Sequence, residues 1–227
     1  MNDTDRHRVI DLDTELGRSR MHLAEAENPD ALLLLGHGAG GGVESVDLTA
    51  LAETLPAHRI SVARYEQPWR TAGKKVAPAP ARLDVGFTAA MQWADEYLGA
   101  HPGAELFLGG RSAGARVSCR AAAGDDRVRG VVCLAFPLHP PGRPEKSRLD
   151  ELTGAGRPTM VLQGSKDTFG TADDLTGQVR RHRAVSVVTV PDCGHDFRPP
   201  KRSGTTAEDV AELVTSTTAG FIASLTG

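Results

Sequence analysis

The sequence predicts an α/β protein built on a mixed, mostly parallel central sheet with an antiparallel start. Short apolar, partly β-branched runs are followed by a turn signal and then by a stretch with helical periodicity, again and again along the chain, which is how the βα units of a parallel sheet read. The first two apolar runs are separated only by Glu15 to Arg18 around Gly17, too little chain for a helix, so they form a hairpin. The 227 residues contain no polar, low-complexity stretch that would divide two cores, and a single domain over 1–227 is expected.

The expected strands are Val9 to Asp13, Ser19 to Ala24, Ala31 to Gly36, Arg59 to Arg64, Ala104 to Leu108, Gly130 to Ala135, Thr159 to Gln163 and Val185 to Val190. Helical periodicity covers Val46 to Leu55, Ala81 to Leu98, Ala113 to Ala123, Ala172 to His182 and Thr206 to Leu225. The last of these opens with Glu208 and Asp209, acidic residues suited to a helix N-terminus. Two long irregular connections remain, Tyr65 to Pro80 and the proline-rich Phe136 to Pro158. The second is too short to hold a large helical cap, so an open site is expected.

Composition excludes several function classes. Hydrophobic residues make up 40% and charged residues 24%, the balance of an ordinary soluble protein. A formal charge of −3 gives no global reason to expect nucleic acid, whose binding leans on excess Lys and Arg. The longest apolar run, Ala31 to Leu35, is far too short to span a bilayer, and the charged stretch from Met1 to Arg8 lacks the apolar core of a secretory signal. No membrane association and a cytoplasmic location are therefore the expectation. Cys119, Cys133 and Cys193 form no C-x-x-C pair, so neither a disulfide framework nor a zinc site is expected, and no metal or cofactor is called for.

Gly110-Arg111-Ser112-Ala113-Gly114 fits G-x-S-x-G and lies between an expected strand and an expected helix, the context that gives this motif meaning. A sharp turn there strains the serine backbone, and glycines two before and two after avoid a clash. A serine hydroxyl is a weak nucleophile until a base takes its proton, and the base needs a carboxylate to fix its tautomer. In the chain order nucleophile, acid, base that accompanies this turn, Asp167 follows the strand Thr159 to Gln163, and His195 follows the strand Val185 to Val190. Both sit at the carboxyl ends of strands, the sheet edge that carries Ser112. Asp173 and Asp174 are rival carboxylates, but they fall in the first turn of the next helix; His139 precedes the acid, and His182 lies in a helix.

Gly36-His37-Gly38-Ala39-Gly40-Gly41-Gly42 supplies a loop of small residues after the third strand. Acyl transfer develops an oxyanion, and each backbone N–H aimed at it is worth about 3 to 4 kcal/mol. Ala113 and Ala39 are the expected donors. The same stretch reads as G-x-G-x-x-G, a dinucleotide cradle, but the next strand ends in Arg64 rather than an acidic residue, and a Rossmann-type oxidoreductase leaves Ser112, Asp167 and His195 unexplained.

With Gly-His-Gly-Ala-Gly-Gly at 36 to 41, Gly-Gly-Arg-Ser-Ala-Gly-Ala-Arg at 109 to 116, Phe-Pro-Leu-His-Pro-Pro-Gly-Arg-Pro-Glu at 136 to 145, Leu-Gln-Gly-Ser-Lys-Asp-Thr-Phe-Gly at 162 to 170 and Gly-His-Asp-Phe at 194 to 197, the chain resembles a small single-domain α/β-hydrolase family related to dienelactone hydrolases. The resemblance runs from about Leu32 to the C-terminus. It implies the three-layer α/β-hydrolase fold without a large cap domain, and a triad of Ser112, Asp167 and His195. Dienelactone hydrolases carry a cysteine where this chain has Ser112, so their substrate does not carry over.

The expected activity is therefore that of a serine esterase, cleaving a small ester, thioester or lactone through an acyl-enzyme on Ser112. Its partner would be a small-molecule acyl substrate, with a homodimer compatible with the sequence. His37, Gly38, Arg111, Tyr65, Trp69 and His139 are expected to line the substrate site, and the basic residues of these loops suggest an anionic substrate. The competing class is an interaction module that kept the fold and lost turnover. A base that must be neutral to act also predicts activity that falls in acid.

Overall fold

A computed structural model describes residues 7–226; residues 1–6 of the charged N-terminal stretch lie outside it. Eight strands form one sheet: β1 (His7–Thr14), β2 (Gly17–Ala24), β3 (Ala31–Gly36), β4 (Ile60–Glu66), β5 (Glu105–Arg111), β6 (Val128–Leu134), β7 (Thr159–Gly164) and β8 (Val185–Val190). Their spatial order is β1-β2-β4-β3-β5-β6-β7-β8. The β1–β2 and β2–β4 pairs are antiparallel and every later pair is parallel, so the antiparallel start is present as expected.

The helices are α1 (Val46–Thr54), α2 (Pro68–Thr71), α3 (Pro80–Ala100), α4 (Ala113–Ala122), α5 (Leu149–Thr153), α6 (Ala172–Val179) and α7 (Ala207–Ala223). Strand β3 is buried along its whole length because helices cover both faces of the sheet. Its side chains alternate: Leu32 and Leu34 pack with Phe87 of α3 and Val117 of α4, whereas Leu33 and Leu35 pack with Leu51 of α1 and Val214 of α7. This is the three-layer α/β-hydrolase architecture, and no large cap covers it. Helix α7 begins at a capping box in which Thr206 accepts from the Asp209 N–H and Asp209 accepts from the Thr206 N–H.

Three sequence expectations change. Strand β4 continues through Tyr65 to Glu66, pairing with Met21 and Arg20 of β2, so Tyr65 belongs to the sheet and not to the following loop. The two loops expected to be irregular contain the short helices α2 and α5, which are too brief to show a helical period. Helix α6 stops at Val179, three residues before the expected end at His182.

The chain leaves β3 toward β4 on one side and returns to β5 on the other. The carboxyl ends of β3 and β5 therefore flank a topological switch point, the place where open α/β sheets leave a crevice. Among the described residues, no helix is long and apolar enough to cross a membrane.

Candidate active site

Ser112 sits between β5 and α4 with φ 52° and ψ −109°, a left-handed conformation that a side chain adopts at a cost of about 1–3 kcal/mol. Two contacts hold it there. The Ser112 N–H donates to the Leu134 carbonyl at 2.9 Å. Gly114 packs directly on Gly36, where a Cβ on Gly114 would run into the Gly36 carbonyl and a Cβ on Gly36 would lie 3.0 Å from the Gly114 Cα. The start of α4 thus rests backbone to backbone on the end of β3, and this brings the Ser112 turn beside the glycine-rich loop. The close approach also accounts for Gly36 without a bound nucleotide. Helix α1 starts only at Val46, so the G-x-G-x-x-G stretch does not open a helix as a dinucleotide cradle requires.

His195 and Asp167 reach Ser112 in a line. His195 Nε2 lies 2.9 Å from Ser112 Oγ, and His195 Nδ1 lies 2.8 Å from Asp167 Oδ2. The Asp167 side chain is fully buried, and three donors meet it. Besides His195, the Phe169 N–H donates to Oδ1 at 2.8 Å and Gln163 Nε2 donates to Oδ2 at 3.0 Å. A buried carboxylate ringed by donors keeps its orientation, and the orientation fixes the imidazole.

Several contributors have no role in the sequence reading. Gln163 lies in β7, and its amide faces the Phe136 and Gly170 carbonyls as well as Asp167. The available signal was a single amide after the apolar run Met160–Leu162 of β7, four residues before Asp167. Phe169 stacks on His195 with ring centroids 4.2 Å apart. Asp47, the second residue of α1, is buried against the Arg111 guanidinium, which also donates to the His195 carbonyl and lies over the Phe197 ring. Arg111 therefore braces the loop that carries His195, and nothing in the local sequence announces a contact spanning 84 residues.

An open cleft of about 670 Å³ lies over Ser112. Gly38, Ala39, Arg111, Ala113 and His195 line it together with Ser112. Of the other residues expected there, four lie elsewhere. Tyr65 is fully buried, its hydroxyl donates to the Gly86 carbonyl, and burial pushes its pKa up to about 12; strand alternation turns it toward α3. Trp69 is buried on α2 against the His37 ring, 5.4 Å between centroids. His37 lies behind the glycine-rich loop: its Nε2 accepts from the Gln67 N–H at 3.2 Å and its Nδ1 donates to the Gly38 carbonyl at 2.9 Å. Burial lowers the His37 pKa against the raising effect of the Gly38 bond, so the ring is held neutral in one tautomer. His139 is not part of the cleft lining and donates from Nδ1 to the Pro140 carbonyl at 3.0 Å. Its backbone N–H ties the proline-rich loop to the Phe169 carbonyl. Among the described residues no cluster of three or more His, Cys, Asp or Glu side chains could hold a metal ion.

The doubly covered sheet with its antiparallel start, and a turn that presents a serine at the switch point, define the α/β-hydrolase class. The chain belongs to the family described as the alpha/beta hydrolase domain, whose model matches residues 29–223. Solved structures agree on the fold. An alpha-beta serine hydrolase homologue from Coxiella burnetii is 15% identical with a TM-score of 0.73, covering 96% of this chain and 98% of its own. A serine hydrolase without lid from Xanthomonas campestris is 20% identical with a TM-score of 0.71, over 98% and 96%. An esterase from Pyrococcus furiosus is 14% identical with a TM-score of 0.73, over 100% and 95%.

Proposed function

We propose that this chain is a single-domain serine hydrolase that cleaves a small ester, thioester or lactone through an acyl-enzyme on Ser112. The observation that carries the reading is the hydrogen-bonded line from Asp167 through His195 to Ser112 at the floor of an open cleft. Ser112 Oγ attacks the acyl carbon as its proton passes to His195 Nε2, and Asp167 stabilises the imidazolium that forms. The carbonyl oxygen becomes an oxyanion held by the N–H groups of Ala113 and Ala39, both of which belong to residues lining the cleft. The bonds that His37 makes to the Gly38 carbonyl and from the Gln67 N–H steady the loop that carries Ala39.

When the intermediate collapses, the bond to the leaving group breaks and His195 returns the proton to it. A water molecule then repeats the sequence on the acyl-enzyme and frees Ser112. Nothing in these steps calls for a cofactor.

A fluorophosphonate probe tests the reading. The wild type should be labelled stoichiometrically at Ser112 and the Ser112→Ala protein should not. A wild type that resists labelling removes the hydrolase reading in favour of an interaction module.

A further inference from the structure

One wall of the cleft carries more positive charge than its neighbours neutralise. Arg116, one helical turn beyond Ser112 on α4, lines the cleft and pairs with Glu151 of α5 at 2.5 Å, with a second contact from Nε at 3.0 Å. Arg120, one turn further, donates to the same Glu151 Oε2 that Arg116 Nε meets and also grips Asp84 of α3 with Nε at 3.0 and 3.1 Å. Arg148, just ahead of α5, is half-buried in the cleft wall. It takes part in no ion pair among the described residues, and its guanidinium donates to the Pro137 carbonyl at 3.0 Å. Asp84 and Glu151 are thus taken up by Arg116 and Arg120, and the unpaired charge sits at Arg148, in the lining of the cleft that holds Ser112.

The other charged residues of the lining, Glu44, Arg111, Asp196 and Arg198, stand on other elements, and the charges that act on Arg148 are those of Arg116 and Glu151. Arg111 is matched by Asp47. Glu44 lies beside Gly42 of the glycine-rich loop, and Asp196, which accepts from the Arg198 N–H, lies next to the base. Burial, and then the charge of Arg116, lower the pKa of Arg148 while Glu151 raises it, so the cation is only partly compensated where it stands. A guanidinium presents several donors in a planar fork that suits a carboxylate, and a carbonyl occupies only one direction of that fork.

We propose, resting on the serine-hydrolase reading of the cleft, that Arg148, flanked by Arg116, recognises a carboxylate on the substrate, making the natural substrate a monoanionic acyl ester. One surplus positive charge matches a carboxylate better than a phosphate dianion. The site differs from the aromatic and basic loop after β4, because Tyr65 and Trp69 are buried away from the cleft.

The experiment measures kcat/KM for two matched pairs: 4-nitrophenyl hydrogen adipate against 4-nitrophenyl hexanoate, with the charge on the acyl side, and 4-carboxyphenyl hexanoate against phenyl hexanoate, with it on the leaving side. Each ratio is compared between wild type and Arg148→Met, so that intrinsic reactivity and any general loss of activity cancel. At least one ratio should fall by about tenfold or more in the variant, as expected for loss of one charge-assisted hydrogen bond. In the wild type alone that ratio should shrink as salt rises from about 0.02 to 0.5 M, which reads the charge even where the variant fails to fold.

Titration of monomethyl adipate into Ser112→Ala, with and without Arg148→Met, reads the same site in the absence of turnover. A phosphate-bearing ester preferred over its carboxylate counterpart overturns the proposal, as do unchanged ratios and binding. Failure of fluorophosphonate labelling with Arg148-dependent binding intact would instead overturn the hydrolase reading and leave the anion site standing.

Discussion

Replacing Ser112 by alanine and by glycine should reverse the usual stability order of those two residues. Both substitutions remove the hydroxyl and its bond to His195, so their difference isolates the Cβ at φ 52° and ψ −109°. Relief of that conformation is worth about 1–3 kcal/mol to glycine, and the greater freedom of glycine in the unfolded chain takes back about 0.5–1 kcal/mol. Ser112→Gly should therefore be the more stable by roughly 1 kcal/mol, which for a chain of this length moves Tm by about 2–4 °C. Thermal and urea unfolding of the two variants under identical conditions measure it, and fluorophosphonate should label neither. An alanine variant as stable as the glycine variant, or more so, would refute the view that packing of Gly114 on Gly36 and the Ser112 bond to Leu134 hold Ser112 in a strained turn.

Three further outcomes are expected. Gln163→Leu removes one of three donors to a fully buried carboxylate, a loss of about 1.5–3 kcal/mol, so the rate of fluorophosphonate labelling should fall tenfold or more; an unchanged rate would remove Gln163 from the positioning of Asp167. Asp167→Asn keeps the shape but favours the wrong imidazole tautomer, and kcat should drop by roughly 10³–10⁴-fold with little change in far-UV circular dichroism. Because burial lowers the pKa of His37 below its ordinary 6.5, the unfolded chain binds the proton more readily than the folded one. Stability should be full above 6.5 and decline as the pH falls below it; Tm measured from pH 7.5 to 5 should fall less steeply in His37→Gln than in the wild type, and parallel curves would clear His37 of this role.

Much of the architecture is legible in the chain because it is written in local periods. The run Ala31–Gly36 reads as a doubly buried strand, and Thr206 with Asp209 opens a helix by chemistry confined to four residues. The meeting of Ser112, Asp167 and His195 is legible for a related reason: each follows a strand, and strand ends in a parallel sheet share one edge. Tyr65 illustrates the opposite case. Its position next to a basic loop suggested the substrate site, and only its pairing with Met21 of β2 turns it into the core.

By itself, then, the sequence determined which segments become the eight strands and the five longer helices and where the sharp turn at Ser112 falls, since each depends on residues within a few positions of one another, and it placed Asp167 and His195 each just beyond a strand. The tertiary structure alone decided that Gln163 steadies Asp167, that Asp47 and Arg111 brace the loop of His195, and that Arg148 is left with unmatched charge in the cleft wall. The physical reason is that hydrogen bonding and charge balance depend on which groups meet in space. These meetings join residues from separate strands and helices, and no local pattern along the chain records them.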